Sequence, residues 1–270
     1  MISDITFGQY FPAKSLIHKM DPRIKFLLMI FAIVFIFLAK SAFSMLSAVV
    51  FVLIAVTCSR VTVKIYLGNL KAILPIIILT AIINSVYINE GKVLLDWWIF
   101  TVSTGGLMRA AFMAIRIALL IFISATLTYT TTPNDLTDAI ESLCTPLKFI
   151  GLGSFVHILT MMMTIALRFI PTLIEETQKI MNAQKARGAD IESGGLVSRI
   201  KALVPILIPL LILSVRRAYD LAEAMECRCY NGGIGKQRMK KFAIRYYDVL
   251  SSVFTVLWGA SIIIINHFMG

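Results

Sequence analysis

Charge is scarce in this sequence. Asp, Glu, Lys and Arg make up 15% of the 270 residues, against about 25% in ordinary soluble domains. Acids are scarcer still, with 15 Asp and Glu against 26 Lys and Arg, a net charge of +11. Histidine occurs three times (His18, His157, His267) and cysteine four times (Cys58, Cys144, Cys227, Cys229). Each scarcity excludes something. Three scattered histidines, with no His–Glu or Ser–His constellation in the sequence, argue against an active site and so against a membrane-embedded enzyme. Cys58 lies in an apolar run and Cys227 and Cys229 are spaced C-x-C, which makes neither a disulfide framework nor a zinc site. No apolar stretch begins within the first dozen residues, so a cleaved signal peptide is not expected.

What the chain does have is apolar surface. Hydrophobic residues are 58% of the total and mean hydropathy is +0.84. A basic balance can signal nucleic acid, but here the charges sit between apolar runs rather than on one polar domain. That pattern belongs to an integral membrane protein, whose Lys and Arg gather in cytoplasmic segments. No nucleic-acid partner and no cofactor is expected.

Charge-free runs mark the candidate spans: Phe26–Ala39, Ser41–Ser59, Ala72–Asn89, Ile117–Asn134, Phe149–Leu167, Ala202–Val215 and Val249–Gly270. A spanning helix needs about 20 mostly apolar residues. The fourth run extends back through Leu107–Arg116, where Arg109 and Arg116 fall seven apart on one face, a face that must avoid lipid. Apart from these two arginines the spans lack charge, and a self-sufficient secondary transporter, the second rival reading, usually needs a polar midplane site. If Phe149–Leu167 and Ala202–Val215 both crossed, Arg168, Lys179, Lys185, Arg187, Arg199 and Lys201 would face outward, against the positive-inside tendency. We therefore expect the whole block Tyr129–Tyr247, with 15 of the 26 basic residues, to be cytoplasmic. The fold class is then an all-α polytopic membrane protein with about five transmembrane helices, plus three long cytoplasmic or interfacial helices. The N-terminus and the block lie inside, and the C-terminus outside. The segment Glu90–Gly106 is external, with Trp97 and Trp98 suited to an interfacial belt. Organisation follows: residues 1–130 as an arm and four membrane helices, 131–247 as the cytoplasmic domain, 248–270 as the last membrane helix.

Within the block, Thr132 or Asn134 can cap a helix that Pro146 ends. A second helix runs from about Phe155 through Pro171, and a third from about Ser198 through Pro205 and Pro209. Each proline should kink its helix. The last two share a plan: an apolar half, a charged half, then an arginine, Arg187 or Arg228. Aligned on those arginines, the acidic pair Glu175 and Glu176 meets the basic pair Arg216 and Arg217. If the helices cross there, the pairs face each other and the ends diverge. An arginine at a helix C-terminus is well placed by the dipole alone, with Gly188 as a natural terminating residue. It is equally a planar fork of donors for a partner's groove.

Several stretches in this order resemble the T component of energy-coupling factor transporters: GQYFP, HKMDPRIK, TTPNDLTDAIESLCTPLK, ALRFIPTLIEETQKIMNAQKARGAD and VPILIPLLILSVRRAYDLAEAMECRCY. The resemblance covers nearly the whole chain. It implies a prokaryotic cell-membrane scaffold linking two ATP-binding subunits, identical or different, to a membrane-embedded substrate-binding S component for uptake of vitamins or other micronutrients. It implies two Ala-Arg-Gly motifs at the tips of two coupling helices, each seated in one ATP-binding subunit. The first is intact as Ala186-Arg187-Gly188. The second reads Cys227-Arg228-Cys229, which puts its backbone geometry in doubt, because Cys tolerates a positive φ less well than Gly; Gly232 and Gly233 then stand in for the turn. Met161, Met162 and Met163, adaptable side chains, are candidates for contact with the S component, with ordinary packing as the alternative. The nearest phosphate-loop look-alike, NGGIGKQ, has Tyr230 and Gln237 where the loop needs glycine and a hydroxyl, so no ATP site is expected in this chain.

Overall fold

The computed structural model describes residues 10–13, 15–87, 93–97, 100–146, 151, 153–188, 195–231 and 243–269. Helix dominates: α1 (Leu16–Lys19), α2 (Pro22–Leu38), α3 (Ala42–Ser59), α4 (Val63–Tyr87), α5 (Thr104–Thr130), α6 (Pro133–Leu143), α7 (Gly153–Ala186), α8 (Leu196–Cys227) and α9 (Tyr246–Met269). The expectation of an all-α chain needs one amendment. β1 (Val93–Trp97) and β2 (Phe100–Ser103) pair antiparallel, with Trp97 opposite Phe100. The side chain of Trp97, and Trp98 altogether, lie outside the described residues, and with them the reading of an aromatic belt.

Among the described residues, six helices are long and apolar enough to cross a membrane: α3, α4, α5, α7, α8 and α9. The chain is a multi-pass membrane protein. α2, at 17 residues, is about 26 Å long. α5 reaches back to Thr104 and so takes in Arg109 and Arg116. Arg116 Nη2 donates to the carbonyl of Ala39, at the C-terminal end of α2, at 2.7 Å. The charge is thereby spent on a carbonyl that its own helix leaves without a donor.

The chain divides into two compact units, one within residues 137–240 and the other within 9–136 and 241–270. The second unit is a helix bundle. Local signals set its turns. Asp21 caps α2 by accepting from the Arg23 amide, with Pro22 at the first helical position, where proline's missing N–H costs nothing. Ser41 and Ser44 form a reciprocal capping box on α3. Its core stacks Phe51 on Trp258, centroids 3.9 Å apart, beside the fully buried Ile36, Val52 and Ile262. Gly259 admits this packing, since an added Cβ would fall on the Phe35 ring. Outward side chains such as Phe43, Leu46, Val50 and Leu53 are exposed and suit lipid contact.

Beneath that core is a polar knot. Asp248, fully buried, accepts from the amides of Asp21 at 2.8 Å and Arg245 at 2.7 Å. Lys25 donates to the carbonyl of Thr130 at 3.0 Å, at the end of α5. Tyr66 bridges Ser59 and Thr126, each at 3.1 Å. Buried polar groups with partners of this kind fix one arrangement of the helices they join.

Candidate functional site

The first unit is built from α6, α7 and α8. Thr132 Oγ1 accepts from the Asp135 amide at 3.2 Å, so of the two candidate caps for α6 it is Thr132 that serves. α7 runs unbroken for 34 residues through Pro171, and α8 for 32 residues through Pro205 and Pro209, about 51 and 48 Å at the usual rise. α6 is joined to α7 by Glu141 Oε1 and His157 Nδ1, 3.1 Å apart. The two residues are 16 apart in sequence, too far to read as a motif.

α7 and α8 meet where the charge inversion predicts a meeting. Arg217 Nη2 donates to Glu176 Oε1 at 3.1 Å, both side chains being partly buried. Glu176 Oε1 also lies 3.4 Å from Lys179 Nζ. Glu175 and Arg216 are exposed, so one member of each pair makes the contact.

A second contact orients the crossing. The Tyr230 hydroxyl donates to Met161 Sδ at 2.7 Å. Moving from the first contact to the second advances 13 residues along α8's direction and goes back 15 along α7's. The helices therefore run in opposite senses. At one end the segment after α8 returns to the apolar half of α7. Arg187 and Arg228 then lie on opposite sides of the crossing. Each is 11 residues beyond it, which at 1.5 Å per residue sets them at most about 33 Å apart along the helices.

The two helix ends are alike in backbone and unlike in side chain. α7 stops at Ala186. The Arg187 amide is shared between the carbonyls of Ala183 and Gln184, and the Gly188 amide reaches Lys185 at 3.0 Å. Gly188 has φ +85°, the left-handed position that glycine occupies without strain. α8 stops at Cys227. The Cys229 amide bonds to the carbonyl of Glu226 at 2.8 Å and the Tyr230 amide to that of Met225 at 3.0 Å, the paired closure of a Schellman end. Here Cys229 takes the left-handed position, at φ 55°. This corrects the expectation that Gly232 and Gly233 supply the turn; those two lie outside the described residues. The paired closing bonds offset a strain of about 1–2 kcal/mol for a residue with a Cβ. Ala186, Arg187, Gly188, Cys227, Arg228 and Cys229 are all exposed.

The apolar halves of both helices are bare. On α7, Phe155, Leu159, Met162 and Met163 are exposed, as are Leu207, Leu211 and Ile212 on α8; Met161 is half-buried. Among the described residues, no group of three or more His, Cys, Asp or Glu side chains could hold a metal ion. Asp190 and nearly all of the NGGIGKQ stretch lie outside the described residues.

Comparison with known proteins bears on this geometry. The family model described as cobalt transport protein, CbiQ, matches residues 13–241. The energy-coupling factor transporter transmembrane protein EcfT of Ruminiclostridium cellulolyticum is 47% identical over 267 residues, 99% of each chain. That of Clostridium kluyveri is 49% identical over 255 residues, 94% of this chain and 93% of the relative. That of Lactococcus lactis is 40% identical over 265 residues, 96% of this chain and 99% of the relative.

Proposed function

The chain belongs to the family of energy-coupling factor transporter transmembrane proteins, and on that premise we propose that it is the scaffold through which two ATP-binding subunits drive a separate membrane-embedded S component. The coarse role, transmembrane component of such a transporter, follows from membership. The finer role is argued from the two helix ends. Backbone amides of the closing turns already serve the carbonyls of Ala183, Gln184 and Lys185 on one rod and of Met225 and Glu226 on the other, so those carbonyls do not call on Arg187 or Arg228. Both guanidinium groups are left exposed on a rigid mount, the condition in which a planar donor fork reads a partner's groove.

The single observation that carries this reading is the shared end geometry: an exposed arginine followed by a left-handed residue at both tips, although the residues flanking the arginine differ. Two such tips on opposite sides of one crossing suit two subunits that approach and part around it. The bare apolar halves then offer the S component a surface, with Met161, Met162 and Met163 part of it. In this scheme α7 and α8 lie on the cytoplasmic side, the N-terminus is inside and the C-terminus outside. The chain contributes no catalytic residue, and ATP hydrolysis belongs to the partner subunits. The substrate, a vitamin or other micronutrient, is chosen by the S component.

The test is Arg187→Glu with Arg228→Glu in the assembled transporter. We expect the ATP-binding subunits to stop copurifying, or uptake to cease, while the chain still inserts in the membrane. Full copurification with full uptake would overturn the reading. Uptake by the purified chain alone would favour a secondary transporter instead.

A further inference from the structure

The second tip is tied to α7 through Tyr230. The closing turn at the end of α8 fixes Tyr230 two positions after Arg228, with its amide held by the Met225 carbonyl at 3.0 Å. From there its hydroxyl reaches Met161 Sδ at 2.7 Å. Met161 adjoins Met162 and Met163, which are 60% and 51% exposed. Tyr230 thus stands between two surfaces that sequence reading treats separately: the arginine tip of α8 and the methionine face of α7. Arg228 and Tyr230 belong to one hydrogen-bonded turn, so displacing the tip must either carry Tyr230 with it or break its bond to Met161.

We propose that Tyr230 is a positioning residue that makes the Arg228 tip and the Met161–Met163 face of α7 move as one body. This deepens the proposed function and rests on it. In mechanical terms, a subunit that grips Arg228 pulls on a turn whose far side is anchored beside the surface offered to the S component. Without the tether the Arg228 tip still docks, but its displacement is no longer delivered to the methionine face.

The experiment uses the complete transporter, with its ATP-binding subunits and S component, reconstituted in lipid vesicles. Uptake and ATP hydrolysis are measured on the same preparation. Tyr230→Phe keeps the ring and removes the hydroxyl; Met161→Leu keeps the volume and removes the sulfur. We expect Tyr230→Phe to retain the ATP-binding subunits and ATP hydrolysis, while uptake per ATP falls about fivefold in either single variant, the low end of ordinary coupling between sites. The double variant should fall no further than either single one, because the two changes break one bond. Unchanged uptake per ATP in Tyr230→Phe and in Tyr230→Ala would overturn the proposal, as would strictly multiplicative losses in the double variant. Loss of the ATP-binding subunits from Tyr230→Phe would also overturn it, since Tyr230 would then act in docking. Failure of the underlying reading is separable: there, the double arginine variant would keep both its subunits and its uptake.

Discussion

The bundle helices α3, α5 and α9 and the two rods α7 and α8 are all apolar enough to cross a membrane, but they dispose of that surface differently. The bundle helices bury 39%, 28% and 28% of their most apolar stretch within the chain, and each rod buries 6%. Low burial alone does not define a docking surface, since α4 also buries 6% and a helix of that composition can face lipid. What distinguishes the rods is the second half of each, where charge, an ion pair and an exposed arginine follow the apolar run. The bundle closes on itself through ring stacking, a capping box and a buried polar knot; on the proposed reading the rods are completed by partner subunits.

The contrast can be broken first on the bundle side. Gly259→Leu puts a side chain where Phe35 packs against Trp258, ring centroids 6.0 Å apart. Overpacking of this kind costs about 1–3 kcal/mol. We expect a clear drop in the thermal midpoint of the detergent-purified chain, with the end geometry of the rods untouched. A midpoint equal to that of the parent chain would mean that α2 and α9 do not depend on this close approach.

A smaller effect should follow from the crossing. Arg217→Glu sets a third acidic group beside Glu175 and Glu176 and removes an ion pair worth about 1 kcal/mol. Copurification of the ATP-binding subunits should weaken, and Glu176→Arg in the same chain should restore part of it. No recovery in the charge-swapped chain would remove the crossing from the account.

The finest comparison lies between the two tips. Cys229→Gly relieves a left-handed residue that carries a Cβ, and Gly188→Cys imposes one; each changes tip stability by about 1–2 kcal/mol, in opposite directions. We expect Cys229→Gly to keep full copurification and Gly188→Cys to reduce it. Equal behaviour of the two variants would show that backbone geometry at the tips does not govern docking.

Much of this is legible in the sequence. The apolar runs announced the long helices, alignment on the two arginines set Glu175 and Glu176 against Arg216 and Arg217, and Ala186-Arg187-Gly188 read directly as a helix stop. Three features were not legible, for physical reasons. Cys229 as the left-handed residue runs against propensity, and only the closing bonds from Cys229 and Tyr230 override it. The contact of Tyr230 with Met161 spans 69 residues and has no periodic signature. Asp248 holding the Asp21 amide joins positions 227 apart; each reads alone as an ordinary acid near the start of a helix.

The account rests most heavily on the side of the membrane that the rods occupy, and native thiols report on it. Cys227 and Cys229 are exposed at the second tip. A membrane-impermeant maleimide applied to intact cells expressing the chain without its ATP-binding subunits should leave the peptide carrying these two cysteines unmodified. The same reagent should modify it in inside-out vesicles. Modification of that peptide from outside intact cells would put the tips beyond reach of any cytoplasmic ATPase and contradict the account.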